Sequence, residues 1–126
     1  KVGNPHRQVV AIIGDGGFGY APGELATAVQ EGINAVTIVF NNQLLGASFN
    51  DQQTRFGGRT IGTRLHNPDF VKLAEAYGAL GMSLGSHKEL GSALRSALKA
   101  QRPVVIEVPI PNLPPPFQIA PAGAAG

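Results

Sequence analysis

Asp15 lies inside a glycine-rich turn, Gly14–Gly19 (GDGGFG), that follows the apolar run Val9–Ile13 (VVAII). Residues 17–40 separate its GDG triplet from two adjacent asparagines, Asn41 and Asn42, which close the next apolar run, Ala35–Phe40 (AVTIVF). A carboxylate and a carboxamide at such positions can hold a hard cation, and glycines let backbone N–H groups come close to a phosphate. A rival pattern must be tested first. Gly14, Gly16 and Gly19 satisfy G-x-G-x-x-G, the fingerprint of a Rossmann-like NAD site. That site needs an acidic residue about 20 positions on, at the end of the second strand, to receive the ribose hydroxyls. Asn41 and Asn42 stand there instead. A P-loop is excluded, because no G-K-[ST] follows the glycines.

The charge of Asp15 sharpens the choice. A carboxylate beside a phosphate-binding turn repels its ligand unless a cation stands between them. Mg²⁺ meets that need, since it combines one or two protein oxygens with phosphate oxygens and water. Asp15 would give one oxygen and the side chain of Asn42 another; neighbouring parallel strands lie about 4.8 Å apart, so residues just past their ends can share one metal. The plainer reading keeps Asp15 and Gly16 as ordinary turn formers and Asn41 as a cap at a strand end.

The elements that must position these residues follow from hydrophobic runs and breakers. Strands are expected at Val9–Ile13, Ala35–Phe40, Leu80–Leu84 and Pro103–Val108. Continuous apolar runs of this kind belong to a sheet covered on both faces. Helices are expected at about Pro22–Glu31, stopped by Gly32; from an Asn67 cap with Pro68 behind it to Gly78, burying Phe70, Leu73, Ala74 and Tyr77; and after Ser86, burying Leu90, Leu94, Ala97 and Leu98. The order predicts an α/β fold: an open, mostly parallel sheet, helices on both faces, right-handed crossovers, and ligands at the carboxyl ends of the strands. Between Asn41 and Asn67 no helix is evident, and so long a connection is expected to cover a ligand or contact a partner.

"GDG" at Gly14–Gly16 and "NN" at Asn41–Asn42, at this separation, resemble the thiamine-diphosphate signature. The flanks "GELATAVQEGINAVTIVFNNQLLG" and "NPDFVKLAEAYGALG" resemble the C-terminal diphosphate-binding (PP) domain of the acetolactate synthase and 2-oxo acid decarboxylase group, and the likeness runs from about Arg7 to Pro109. The resemblance implies thiamine diphosphate (ThDP) and Mg²⁺ as cofactors, with Asp15, the Asn42 side chain and the main-chain carbonyl of Leu44 as metal ligands. It implies that Gly14, Gly16, Gly17, Leu45 and Gly46 lie against the diphosphate. Ala47, Ser48 and Phe49 would then stand near the substrate, with Ser48 where some decarboxylases carry a glutamate, which argues against a simple pyruvate decarboxylase. The implied substrate is a small 2-oxo acid, undergoing decarboxylation, carboligation or both.

No catalytic residue is expected in this chain, because the activating glutamate of similar enzymes comes from a pyrimidine-binding domain of the same or a neighbouring subunit. The resemblance implies a PP domain over residues 1–109, truncated at its N-terminus, inside a longer homo-oligomeric enzyme that could also carry FAD. The fragment should be inactive alone. Two other readings are a noncatalytic, oligomerising interaction module that keeps the fold, and the NAD-binding domain already weakened above.

Other residues carry less. Arg55, Arg59 and Arg64 could meet a substrate carboxylate or stay solvated; His6, His66 and His87 have no defensible role; Phe56, more than Phe49, should anchor the loop on the core; Glu107 should be structural. Ten Lys and Arg against eight Asp and Glu give a charge of +2, scattered along the 126 residues, so no nucleic-acid footprint is expected. The absence of cysteine excludes a disulfide framework and a thiolate site. No signal peptide is seen and no apolar run reaches the ~20 residues of a membrane span, so a cytoplasmic protein is expected. Residues 110–126, rich in Pro, Ala and Gly, should form an extended tail.

Overall fold

The computed structural model describes residues 1–113. Most of the expected tail lies outside the described residues. Four strands, β1 (Val10–Gly14), β2 (Val36–Asn41), β3 (Leu80–Ser83) and β4 (Val104–Pro109), form one sheet in the order β1-β2-β4-β3. Every pairing is parallel. The helices are α1 (Asp15–Phe18), α2 (Glu24–Gln30), α3 (Gly46–Arg55), α4 (Phe70–Ala76) and α5 (Leu90–Ala97), the last preceded by a 3₁₀ turn at His87–Glu89.

Side-chain alternation divides the core into two layers. On one face Val39 and Val105 meet Phe18 of α1, Leu25 of α2, and Phe70 and Ala74 of α4. On the other, Val36, Ile38, Val104, Ile106 and Val108 meet Ala97, Leu90 and Leu94 of α5. Helices therefore cover both faces of β2 and β4, whose inner residues are buried as their apolar runs predict. Edge strand β1 departs from that rule. Ile13 packs inward, but Val10 and Ile12, on the face that carries α5 but at the sheet edge beyond it, remain 39% and 69% exposed.

The helix stops follow backbone chemistry. Gly32 and Gly78 adopt φ of +60° and +86°, the left-handed region in which glycine ends a helix without a Cβ penalty. Two sequence expectations need correction. The segment from Asn41 to Asn67 contains α3, whose polar composition left no apolar stripe to read. Helix α4 is capped by Asp69, which accepts a hydrogen bond from the Lys72 amide, and not by Asn67. A cap at Asp69 frees Asn67 for the site described below. Among the described residues no helix is long and apolar enough to cross a membrane.

Candidate functional site

β1 ends in extended geometry at Gly14, and the chain passes directly into α1, so Asp15 stands at the carboxyl end of the sheet. The turn is held from both sides. Phe18 stacks edge-on against Phe70 of α4, with ring centroids 5.4 Å apart, and the Gly19 amide donates to the Asp15 carbonyl. Gly16 allows a close approach: a Cβ there would come within 2.5 Å of Leu45 Cδ2 and 3.3 Å of Leu65 Cδ1 and would displace the Leu45 side chain.

Asp15 is buried, at 2% exposure. Its Oδ2 accepts two hydrogen bonds, from the Gln43 amide at 2.8 Å and from Asn67 Nδ2 at 2.7 Å. The same two donors reach Asn41 Oδ1, at 3.1 and 3.0 Å. Asn41 Nδ2 in turn donates to Glu107 Oε1 at 2.7 Å. Alternation along β2 thus splits the asparagine pair. Asn41 joins a polar cluster spanning the start of α1, β2, β4 and the approach to α4, while Asn42 lines an open cavity.

That cavity, of about 430 Å³, lies at the carboxyl ends of β1 and β2. Asp15, Gly16, Asn42, Leu44, Leu45 and Ser48 are among its lining residues, and Gly14, Gly17, Gly46 and Ala47 complete the polypeptide wall around them. The loop after β2 is fixed by a short antiparallel pairing of Leu44 with Arg64: the Leu45 amide donates to the Thr63 carbonyl and the Leu65 amide to that of Gln43. Asn42 Oδ1 accepts from the Leu44 amide at 3.2 Å, which keeps its side chain folded over the loop.

The donor set is chemically narrow. One carboxylate, one carboxamide oxygen and main-chain carbonyls are hard oxygen ligands, suited to Mg²⁺ and unsuited to softer metals. Among the described residues no group of three or more His, Asp or Glu is placed to hold a metal, so a cation here would depend on Asn42 and the backbone as well as on Asp15. Both hydrogen bonds to Asp15 fall on Oδ2, which leaves Oδ1 as the oxygen with room for a further partner. The residues present fit a Mg²⁺-diphosphate group.

Other expected residues lie elsewhere. Phe49, on α3, is half-buried beneath the guanidinium of Arg64, 5.7 Å from its ring centroid. Arg55 pairs with Asp51, and Arg59 donates to the Phe56 carbonyl, so both serve the α3 region itself. Phe56 does not anchor the loop: it is 51% exposed. All three histidines are exposed. Sequence reasoning missed Asn67 and Glu107 as members of the polar cluster, and gave Asn41 a place in the NN pair but no side-chain role beyond a strand-end cap in its plainer reading. The available signal was a Glu near the carboxyl end of a strand otherwise wholly apolar.

Residues 1–108 match the family described as thiamine pyrophosphate enzyme, C-terminal TPP binding domain. The chain belongs to this family. The TPP-binding domain is 38% identical over 106 residues to the acetolactate synthase large subunit of Haemophilus influenzae and 38% identical over 107 residues to the acetolactate synthase of Bacillus subtilis, covering 83% and 84% of the chain. Among solved structures it superposes on the thiamine diphosphate-dependent 4-hydroxybenzoylformate decarboxylase of Rhodococcus jostii RHA1 with a TM-score of 0.81, at 36% identity over 87% of the chain. It spans about a fifth of the length of these relatives: 18% of each synthase and 21% of the decarboxylase. The parallel sheet and its flanking helices are those of the TPP-binding fold.

Proposed function

We propose that the cavity binds the diphosphate of ThDP through Mg²⁺, as part of an acetolactate synthase-like enzyme acting on 2-oxo acids. The observation that carries this reading is a buried carboxylate with one oxygen tied back into the protein and the other side of the group turned to a cavity lined by Asn42 and Leu44. In this reading Asp15, the Asn42 side-chain oxygen and the Leu44 carbonyl hold Mg²⁺. Gly14, Gly16, Gly17, Leu45 and Gly46 shape the wall against the diphosphate, and the glycines admit it because no side chain intervenes.

The chemistry the cofactor would supply is stabilisation of the electron pair left when a bond beside the carbonyl of a 2-oxo acid breaks. The chain's own residues do the holding. Asp15 would offset the metal charge, Ile12, Ile13, Phe40 and Ile110 supply the apolar part of the wall, and Ser48 borders the substrate side in this reading. Ser48 is neutral where some decarboxylases of the group carry an acid, so it supplies no carboxyl proton there. No residue of this chain is assigned the activating proton transfer; that role goes to a glutamate of a pyrimidine-binding domain in the same or a neighbouring subunit of a homo-oligomer.

Calorimetric titration of ThDP into the chain tests the reading. Binding is expected with Mg²⁺, none with EDTA, and none in Asp15→Ala. Equal affinity in EDTA would remove its basis. The reading as a noncatalytic oligomerising module draws on the uncovered Val10 and Ile12; self-association by light scattering, with no ThDP binding, would favour it. An NAD site keeps no support, because no carboxylate follows β2 to receive the ribose.

A further inference from the structure

We propose that Asn67 is a positioning residue for the Asp15 carboxylate, and that Glu107, acting through Asn41, sets the orientation in which Asn67 can do so. The inference rests on the Mg²⁺–diphosphate reading of the site and concerns residues outside the cavity wall.

The chain of hydrogen bonds has a direction. A carboxylate only accepts, so Glu107 Oε1 fixes the NH₂ end of the Asn41 amide at 2.7 Å. The oxygen end of Asn41 must then point the other way, where it accepts from Asn67 Nδ2 at 3.0 Å and from the Gln43 amide at 3.1 Å. Those two donors are thereby aimed at Asp15 Oδ2, at 2.7 and 2.8 Å. Reversing the Asn41 amide would set its oxygen against the Glu107 carboxylate and its NH₂ against that of Asn67. Both contacts would be repulsive, so one orientation survives. The consequence reaches the cavity: with Oδ2 committed to two donors, the carboxylate plane is fixed and Oδ1 is the oxygen left for a cation. Loss of a group that orients a metal-binding carboxylate in this way typically costs about 10- to 100-fold in metal affinity.

The arrangement also explains the location of Asn67. It stands just before Pro68 and the Asp69 cap of α4, so the start of that helix is tied to the ends of β1 and β2 through one side chain.

The test uses Mn²⁺ with ThDP, read as the half-saturating Mn²⁺ concentration at saturating ThDP, together with hydrogen exchange of the Gln43 amide in the ligand-free chain. Asn67→Leu should raise the half-saturating concentration about 10- to 100-fold. Glu107→Gln, whose carbonyl oxygen can still accept from Asn41, should stay within about twofold of the parent, and Glu107→Leu should approach Asn67→Leu. Glu107→Leu should also speed exchange at the Gln43 amide. A merely structural role would lower thermal stability in both Glu107 variants' folded populations without separating them by Mn²⁺ requirement. If Asn67→Leu does not fold, the comparison of Glu107→Gln with Glu107→Leu decides. Parent-like Mn²⁺ half-saturation in Asn67→Leu and Glu107→Leu would overturn the proposal while leaving the site reading intact. If the parent chain binds no Mn²⁺ with ThDP, the site reading fails, and unchanged Gln43 exchange in Glu107→Leu would overturn the orienting chain separately.

Discussion

The Gln43 amide, 28 residues along the chain from Asp15, donates to the Asp15 carboxylate at 2.8 Å. To present that N–H, Gln43 adopts a φ of +57°, a left-handed conformation costly for a residue with a Cβ. The strain is confined to the residue between Asn42 and Leu44. A locally unfavourable backbone angle is thus held in place by the carboxylate it serves.

Gln43→Gly keeps the amide and removes the Cβ penalty, so its stability should fall within about 1 kcal/mol of the parent. Gln43→Pro removes the donor and forces φ to about −65°, and should cost about 3 kcal/mol or more. Urea unfolding of the two variants gives the comparison. Comparable stability would show that the Asp15–Gln43 bond is dispensable.

Gly16→Ala places a methyl group 2.5 Å from the end of Leu45, a flexible side chain that borders the cavity and is displaced into it. The fold should survive with a loss of about 1 kcal/mol, while ThDP affinity with Mg²⁺ falls about tenfold, equivalent to about 1.4 kcal/mol. Calorimetry and thermal melting on one preparation separate the two. Unchanged affinity would mean that Leu45 has room elsewhere.

Gly81→Ala should show the opposite division. Its Cβ would lie 2.7 Å from the Cα and carbonyl oxygen of Val71, where backbone must yield, so packing of α4 on β3 should lose about 1–3 kcal/mol. ThDP affinity of the folded protein should not move, since neither element lines the cavity.

Acid should release the cap of α4. The Lys72 amide, with lesser help from the Lys72 ammonium, holds the Asp69 carboxyl below its ordinary value. A depressed native pKa means that the unfolded chain binds the proton more readily, so the stabilisation is complete above the ordinary value of about 4 and is lost as pH falls through the native one. The difference in unfolding midpoint between the parent and Asp69→Ala should therefore be present at neutral pH and shrink in strong acid. A pH-independent difference would show that the charge plays no part.

Sequence and structure agree most closely where one physical signal dominates. The apolar runs of β2 and β4 located strands buried on both faces, and Gly32 and Gly78 marked real helix stops. Helix α3 was illegible because its sequence, GASFNDQQTR, is mostly polar with Phe49 as its one large apolar residue, and it is tied by Gln52 to the Ile61 backbone instead of by a core-facing stripe. Asn67 misled for a related reason. An asparagine before proline is an ordinary helix opener, and only the tertiary approach of Asp15, 52 residues away, gives its amide a better partner. The same long separation hid the link between Asn41 and Glu107, 66 residues apart.

The strand order β1-β2-β4-β3 carries a consequence for how the domain is made. The central strand that joins β2 to β3 is the last of the four to be synthesised, so a nascent chain carrying everything up to Arg102 holds β3 with no neighbour in the sheet. Glu107 emerges later still. Pairing of β3 into the sheet and the Asn41–Glu107 bond both depend on β4, so the geometry around Asp15 and Asn42 is completed only once β4 has been inserted.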